Sequence, residues 1–199
     1  MWILLFFSLS FSSSIERWVF LGDSLTEGYG ISKENAYPAK LETLLNAHLK
    51  DKKTNRQIQI VNAGISGSTS ASGLSRLKWQ LKQPTALVLI ALGANDGLRG
   101  QPIAALKKNL TDMVEYAKSQ KVKVVLAGMR LPQNYGAKYT NDFEKSFKEV
   151  SSSQKVLLLP FLLEGVAGKK DLNLSDGLHP NEKGHEALSK NLFLFFKDL

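Results

Sequence analysis

Three side chains in this sequence stand in settings that suit nucleophilic acyl transfer: a serine, a histidine and an aspartate. Ser24 lies in Gly22-Asp23-Ser24-Leu25, directly after the apolar run Trp18-Val19-Phe20-Leu21. A hydroxyl is a weak nucleophile until a neighbouring base takes its proton, and a lone serine at a strand end reads equally well as a helix N-cap. The stretch Asp176-Gly177-Leu178-His179-Pro180 supplies the missing base. Carboxylate and imidazole are close enough there for one turn to hold both. The aspartate can fix one ring nitrogen while the other faces the serine. Acyl transfer also needs donors for the oxyanion that forms at the attacked carbonyl. Gly64, in Asn62-Ala63-Gly64, has no side chain to keep its N–H from a ligand. Asn95, in Gly93-Ala94-Asn95-Asp96, offers a side-chain amide. Ser24, Gly64 and Asn95 are therefore the expected oxyanion donors. Asp23 and Asp96 read as turn or cap carboxylates beside them.

The elements that must position these groups alternate along the chain. Short apolar runs at Trp18–Leu21, Ile58–Val61, Ala86–Leu92, Val122–Ala127 and Val156–Leu159 read as buried strands. Between them lie helix-period stripes: Leu41, Leu44, Leu45 and Leu49; Leu74, Leu77 and Leu81; Ile103, Leu106, Leu110, Met113, Val114 and Ala117; and Phe143, Phe147 and Val150. A closing helix is expected over Glu182–Lys197. Continuous apolar strands separated by helices imply a parallel sheet covered on both faces, a three-layer α/β/α sandwich with five strands. In such a sheet ligands bind at the carboxyl ends of the strands. The segments Asp23-Ser24, Ala63-Gly64, Gly93 to Asp96 and Arg130-Leu131-Pro132 all fall there.

The chain has 199 residues, enough for one core, and no cysteine. That excludes disulfides, cysteine-ligated zinc and a cysteine nucleophile. The three histidines stand in unrelated contexts, without metal-ligand spacing. His48 and His185 sit in helical stripes and read as surface or packing residues, so neither a metal nor a cofactor is expected. The net charge of +8 comes from lysines scattered over many segments, with no dense basic run interleaved with aromatics. That is a solvated basic surface. It predicts no nucleic-acid partner and leaves room for transient contact with an anionic membrane surface. Residues 1–14 stand apart: Met1 to Phe11 is nearly all apolar and three serines follow. The stretch falls short of the ~20 apolar residues that span a bilayer. It reads as a signal peptide without basic residues at its start, ahead of one domain over 15–199.

Taken together, Ser24, Gly64, Asn95 and His179 in their blocks resemble the SGNH (GDSL-like) hydrolase superfamily, in the family's order from about Trp18 to the end. Within it, Asn95-Asp96-Gly97-Leu98-Arg99-Gly100, Arg130-Leu131-Pro132-Gln133-Asn134-Tyr135-Gly136 and Leu158-Leu159-Pro160-Phe161 are similar to the bacterial acyl-CoA thioesterase I, lysophospholipase and arylesterase group. The resemblance implies a flavodoxin-like fold, an open active site, export to the periplasm or beyond, and two pocket loops, Ser66–Ser75 and Leu131–Tyr139. With it, Asp23, Leu131, Pro132, Asn134 and Tyr135 become expected substrate contacts. The expected activity is hydrolysis of carboxylic esters or thioesters of acyl chains, taken as small-molecule substrates, by a monomer. Two other readings remain open at this point: a carbohydrate or cell-wall acetyl-esterase, and a non-catalytic lipid- or glycan-binding module.

Overall fold

Apolar runs of this kind become strands because neither face of the sheet meets water. The computed structural model describes residues 14–199. The first half runs β1 (Ser14–Gly22), α1 (Ser24–Glu27), α2 (Tyr37–Asp51), β2 (Arg56–Gly64), α3 (Gly73–Gln80) and β3 (Leu87–Ala91). The second half runs α4 (Ala94–Leu98), α5 (Ile103–Ser119), β4 (Lys123–Ala127), α6 (Ala137–Gln154), β5 (Leu157–Leu159) and α7 (Glu182–Phe196). All strands are parallel, in the order β2-β1-β3-β4-β5. That order gives the expected five-stranded α/β/α sandwich of flavodoxin type. The central strand β3 is buried along its length.

Helices α2 and α7 pack together on one face, and α3, α5 and α6 form a layer on the other. Alternation along β1 sends Trp18 and Phe20 to the first face. The Phe20 ring lies 6.1 Å from Tyr37 and 5.8 Å from Phe196, and Trp18 lies 5.6 Å from Phe196. On α6, Phe143 and Phe147 stand one turn apart and meet edge-on at 5.3 Å. Each buried aromatic of this kind contributes on the order of 1.5–3 kcal/mol by leaving water.

The topology reverses between β1 and β3, which opens a crevice at their carboxyl ends. Register places Gly22 beside both Gly64 and Ala91. The segments that follow these three strands therefore share one edge of the molecule.

Several bounds differ from the sequence reading. β1 begins at Ser14 and runs through Ile15, Glu16 and Arg17, which pair with β2 alone. These residues are polar or exposed because β3 does not yet flank them, and Glu16 is held by Arg56 at 2.7 Å. The short helix α4 had no periodic signature, since five residues are too few to show one. The expected leader lies outside the described residues except for Ser14, whose N–H bonds Asn55 O at 3.1 Å and starts β1. Among the described residues, no helix is long and apolar enough to cross a membrane.

Candidate active site

The turn after β1 is tight because Gly22 permits it: a Cβ there would lie 2.0 Å from Thr26 Oγ1. Asp23 caps α1, its Oδ1 accepting from Leu25 N–H at 3.0 Å. Ser24 opens that helix, so its own N–H has no partner inside it. Buried Asp23 is pushed up to about 6 by desolvation, against the Leu25 N–H and the nearby charges of His179 and Arg76.

Across the crevice, the loop before α7 folds back on itself. Asn173 bridges Pro180, and Leu174 N–H donates to His179 O at 2.7 Å. Asp176 Oδ1 accepts the N–H groups of Leu178 at 2.9 Å and His179 at 3.0 Å. Its Oδ2 meets His179 Nδ1 at 2.6 Å. The His179 N–H, followed by the Leu178 N–H and the imidazole, holds the Asp176 carboxyl down to about 2. An ionised carboxylate only accepts, so Nδ1 carries the ring proton. His179 Nε2 is left as the acceptor for the Ser24 hydroxyl, 2.9 Å away. The ring of Tyr29 packs on the imidazole at 4.7 Å.

Asn95 lies in the first turn of α4, and its Nδ2 donates to Ser68 O at 3.0 Å and approaches Asp23 Oδ2 at 3.4 Å. Asp96 anchors the same loop by accepting Ser70 N–H at 2.8 Å and Ser70 Oγ–H at 2.6 Å. Asp96 thus has the structural role read for it.

Gly64 departs from expectation. Its N–H donates to Asn62 Oδ1 at 3.0 Å, and a Cβ on it would sit 2.1 Å from Glu27 N. The glycine is needed for close packing of β2 on α1, and its donor is spent. Three residues on, Gly67 sits at φ +75° in a turn closed by Ser68 N–H to Ile65 O at 3.2 Å. Among the described residues its N–H meets no acceptor. The sequence signal for it was a second glycine in Asn62-Ala63-Gly64-Ile65-Ser66-Gly67; what decides between the two is the Asn62 side chain.

Of the expected substrate contacts, Leu131 packs on Gly97, and Tyr135 donates to Leu98 O at 3.1 Å, so both join the α4 side of the crevice. Pro132 and Asn134 are exposed on the same loop, and Asp23 lies beneath the surface as a cap rather than on it. Arg76, unremarked in the sequence, reaches from α3 to Gly22 O at 2.9 Å and to Ala63 O. His185 is buried, stacks on Tyr37 and accepts its N–H at 3.1 Å; burial lowers it to about 4. His48 packs edge-on to Phe193.

Ser24, His179 and Asp176 stand in line at the switch point of a flavodoxin-type sheet, the arrangement that acyl transfer by a serine needs. The chain belongs to the GDSL-like lipase/acylhydrolase family, whose model matches residues 20–187, and it is a carboxylic-ester hydrolase. It is 41% identical to an arylesterase of Vibrio mimicus over 89% of this chain and 87% of that protein. It is 39% identical to esterase TesA of Pseudomonas aeruginosa over 90% of this chain and 87% of that one. Among solved structures, esterase EstA of a Pseudoalteromonas species, inhibited by monoethylphosphonate, superposes with TM-score 0.81 at 34% identity, covering 92% of this chain and 97% of that one.

Proposed function

We propose that the chain hydrolyses carboxylic esters and thioesters of acyl chains in two steps, with Ser24 as nucleophile, His179 as general base and then acid, and Asp176 as its orienting partner. The observation that carries this reading is the line Asp176 Oδ2 – His179 Nδ1 at 2.6 Å and His179 Nε2 – Ser24 Oγ at 2.9 Å. His179 takes the hydroxyl proton, Ser24 attacks the carbonyl, and Asp176 stabilises the imidazolium. The protonated imidazole then gives its proton to the leaving alkoxide or thiolate. Water, activated by the same nitrogen, frees the acid from the acyl-enzyme.

The oxyanion is held by the N–H of Ser24, by Asn95 Nδ2, which gives up its long 3.4 Å approach to Asp23 Oδ2 to do so, and by a backbone N–H of the loop after β2. Gly67 fits that last place better than Gly64, because its donor is free. The scheme uses protein groups and water alone.

Acyl substrates are favoured by the rim. Tyr29 and Leu178 expose 52% and 46% of their surface; Tyr29 packs on the His179 ring and Leu178 precedes His179 in sequence. Leu131 and Tyr135 extend the apolar lining on the α4 side. Nucleophile, base and donors come from one chain, so the chemistry needs no second copy, and the reading takes the protein as a monomer. The net charge of +8 supports transient attraction to anionic surfaces, while the scatter of its lysines, with no dense basic run, argues against a nucleic-acid partner. Residues 1–14 serve in this reading as an export leader preceding one hydrolase domain over 15–199, with the protein in the periplasm or outside the cell.

Hydrolysis of a p-nitrophenyl ester series from acetate to palmitate, by the full chain and by Ser24→Ala, tests the reading. Serine-dependent turnover rising toward medium chains supports it. Turnover confined to acetate points to deacetylation instead, and turnover that survives Ser24→Ala removes the mechanism.

A further inference from the structure

Helix α1 carries the nucleophile at one end and Glu27 at the other. It is four residues long and stops at Gly28, whose φ of +89° turns the chain away. The Glu27 side chain reaches across to the loop after β2. Its Oε2 accepts the Ser66 N–H at 2.7 Å and also the Ser66 hydroxyl. From the other direction, Asn62 Nδ2 donates to Thr26 O at 2.8 Å and Glu27 O at 3.4 Å. The end of α1 is therefore tied to both sides of the segment from Asn62 to Gly67.

We propose that Glu27 is a positioning residue for the oxyanion site, holding the Gly67 N–H at a fixed place relative to Ser24. The inference rests on the acyl-transfer reading above and on Gly67 as donor. Ser66 precedes Gly67 directly, so pinning the Ser66 N–H and hydroxyl limits rotation of the Ser66–Gly67 peptide plane. Arg99 Nη2 holds the next carbonyl, Gly67 O, at 3.0 Å. Between these two contacts the peptide that presents the donor is gripped on both sides. Residues 65–67 are exposed and belong to no helix or strand, so side-chain contacts must supply the order that packing does not.

The chemistry of Glu27 fits this task. Ionised carboxylates accept N–H and O–H groups more strongly than neutral oxygens do. Among the described residues, Glu27 forms no ion pair, and the acceptor it uses goes to Ser66. A donor that acts only on the developing oxyanion affects kcat and leaves ground-state binding alone. Displacing such a donor by a fraction of its hydrogen-bond length is costly, since even a 1 Å misplacement costs about a hundredfold.

The experiment compares wild type, Glu27→Ala, Glu27→Gln and Ser66→Ala, with Ser24→Ala as the control that tests the acyl-transfer reading itself. Glu27→Ala is expected to lower kcat by about tenfold with KM within about twofold, a loss of transition-state stabilisation alone. Glu27→Gln keeps an acceptor oxygen and should recover most of that loss. Ser66→Ala, which retains the N–H, should fall between. In amide NMR spectra of the unliganded protein, the Ser66 proton should move upfield in Glu27→Ala and exchange faster. That readout does not depend on turnover. An unmoved Ser66 amide, a wild-type kcat in Glu27→Ala, or a rise in KM that accounts for the loss would each overturn the proposal. Serine-independent turnover would instead remove the reading on which it rests.

Discussion

Asp23 Oδ1 accepts the Leu25 N–H at 3.0 Å, so a carboxylate only 1% exposed caps the helix that begins at the nucleophile. Burial raises this group from 3.8 to about 6, which makes it a liability when ionised. The native state then holds a proton that the unfolded chain has released between those values. Stability from this group is present below about 3.8 and is lost as pH rises through about 6. Asp23→Asn keeps an N-cap acceptor without the charge. Its melting temperature, measured against wild type from pH 3.5 to 8, should show a difference that grows in the variant's favour up to about pH 6 and then levels. A constant difference across that range would mean that Asp23 ionises normally.

Asp176 behaves in the opposite sense. Held down from 3.8 to about 2 by the His179 and Leu178 N–H groups and the imidazole, it favours the folded state when ionised. That contribution is present above about 3.8 and disappears as pH falls through about 2. The carboxylate is therefore ionised at neutral pH. Asp176→Asn leaves a side chain of the same shape that no longer demands the Nδ1 proton, and by analogy with known triads kcat should fall about 10⁴-fold. Steady-state kinetics at neutral pH measures this; a loss of less than about tenfold would show that the imidazole is oriented by other groups.

The proposed catalytic line was legible because its parts are compact in sequence. Ser24 ends a strand, and Asp176 and His179 share one loop, so local pattern carried the chemistry even though His179 lies 155 positions from Ser24. The parallel sheet was legible for a related reason: strands buried on both faces leave unbroken apolar runs. What escaped was set by contacts between distant segments. Arg76 looks like any polar residue on α3 until its reach to Gly22 and Ala63 is seen, and Glu27 and Tyr29 have no local signature. The choice between Gly64 and Gly67 depends on where one asparagine side chain points, which no spacing rule encodes.

Arg76 ties the ends of β1 and β2 together, and its Nη1 is buried with no partner among the described residues. Truncation to Ala removes donors from two carbonyls and withdraws a positive charge near Asp23. Gly22 O keeps the Ile65 N–H at 3.2 Å, so the carbonyl left short is Ala63 O, and a buried carbonyl without its donor costs about 1–3 kcal/mol. Urea unfolding of Arg76→Ala should show a loss on that scale, with an unchanged slope. A midpoint equal to wild type would mean that water replaces the guanidinium.

Asn95 and Gly67 are assigned to the same oxyanion, and they can be tested separately. Asn95→Ala removes a donor and should lower kcat by about 10²–10³-fold with KM nearly unchanged. Gly67 cannot lose its N–H by substitution, so its test is spectroscopic. When a phosphonate bonds to Ser24, its oxygen sits where the oxyanion would. A backbone N–H that donates to that oxygen shifts strongly downfield, while one already engaged stays in place. The Gly67 amide should move and the Gly64 amide, bonded to Asn62 at 3.0 Å, should not. A shift at Gly64 with none at Gly67 would return the role to the first glycine and would require the Asn62 side chain to swing away when substrate binds.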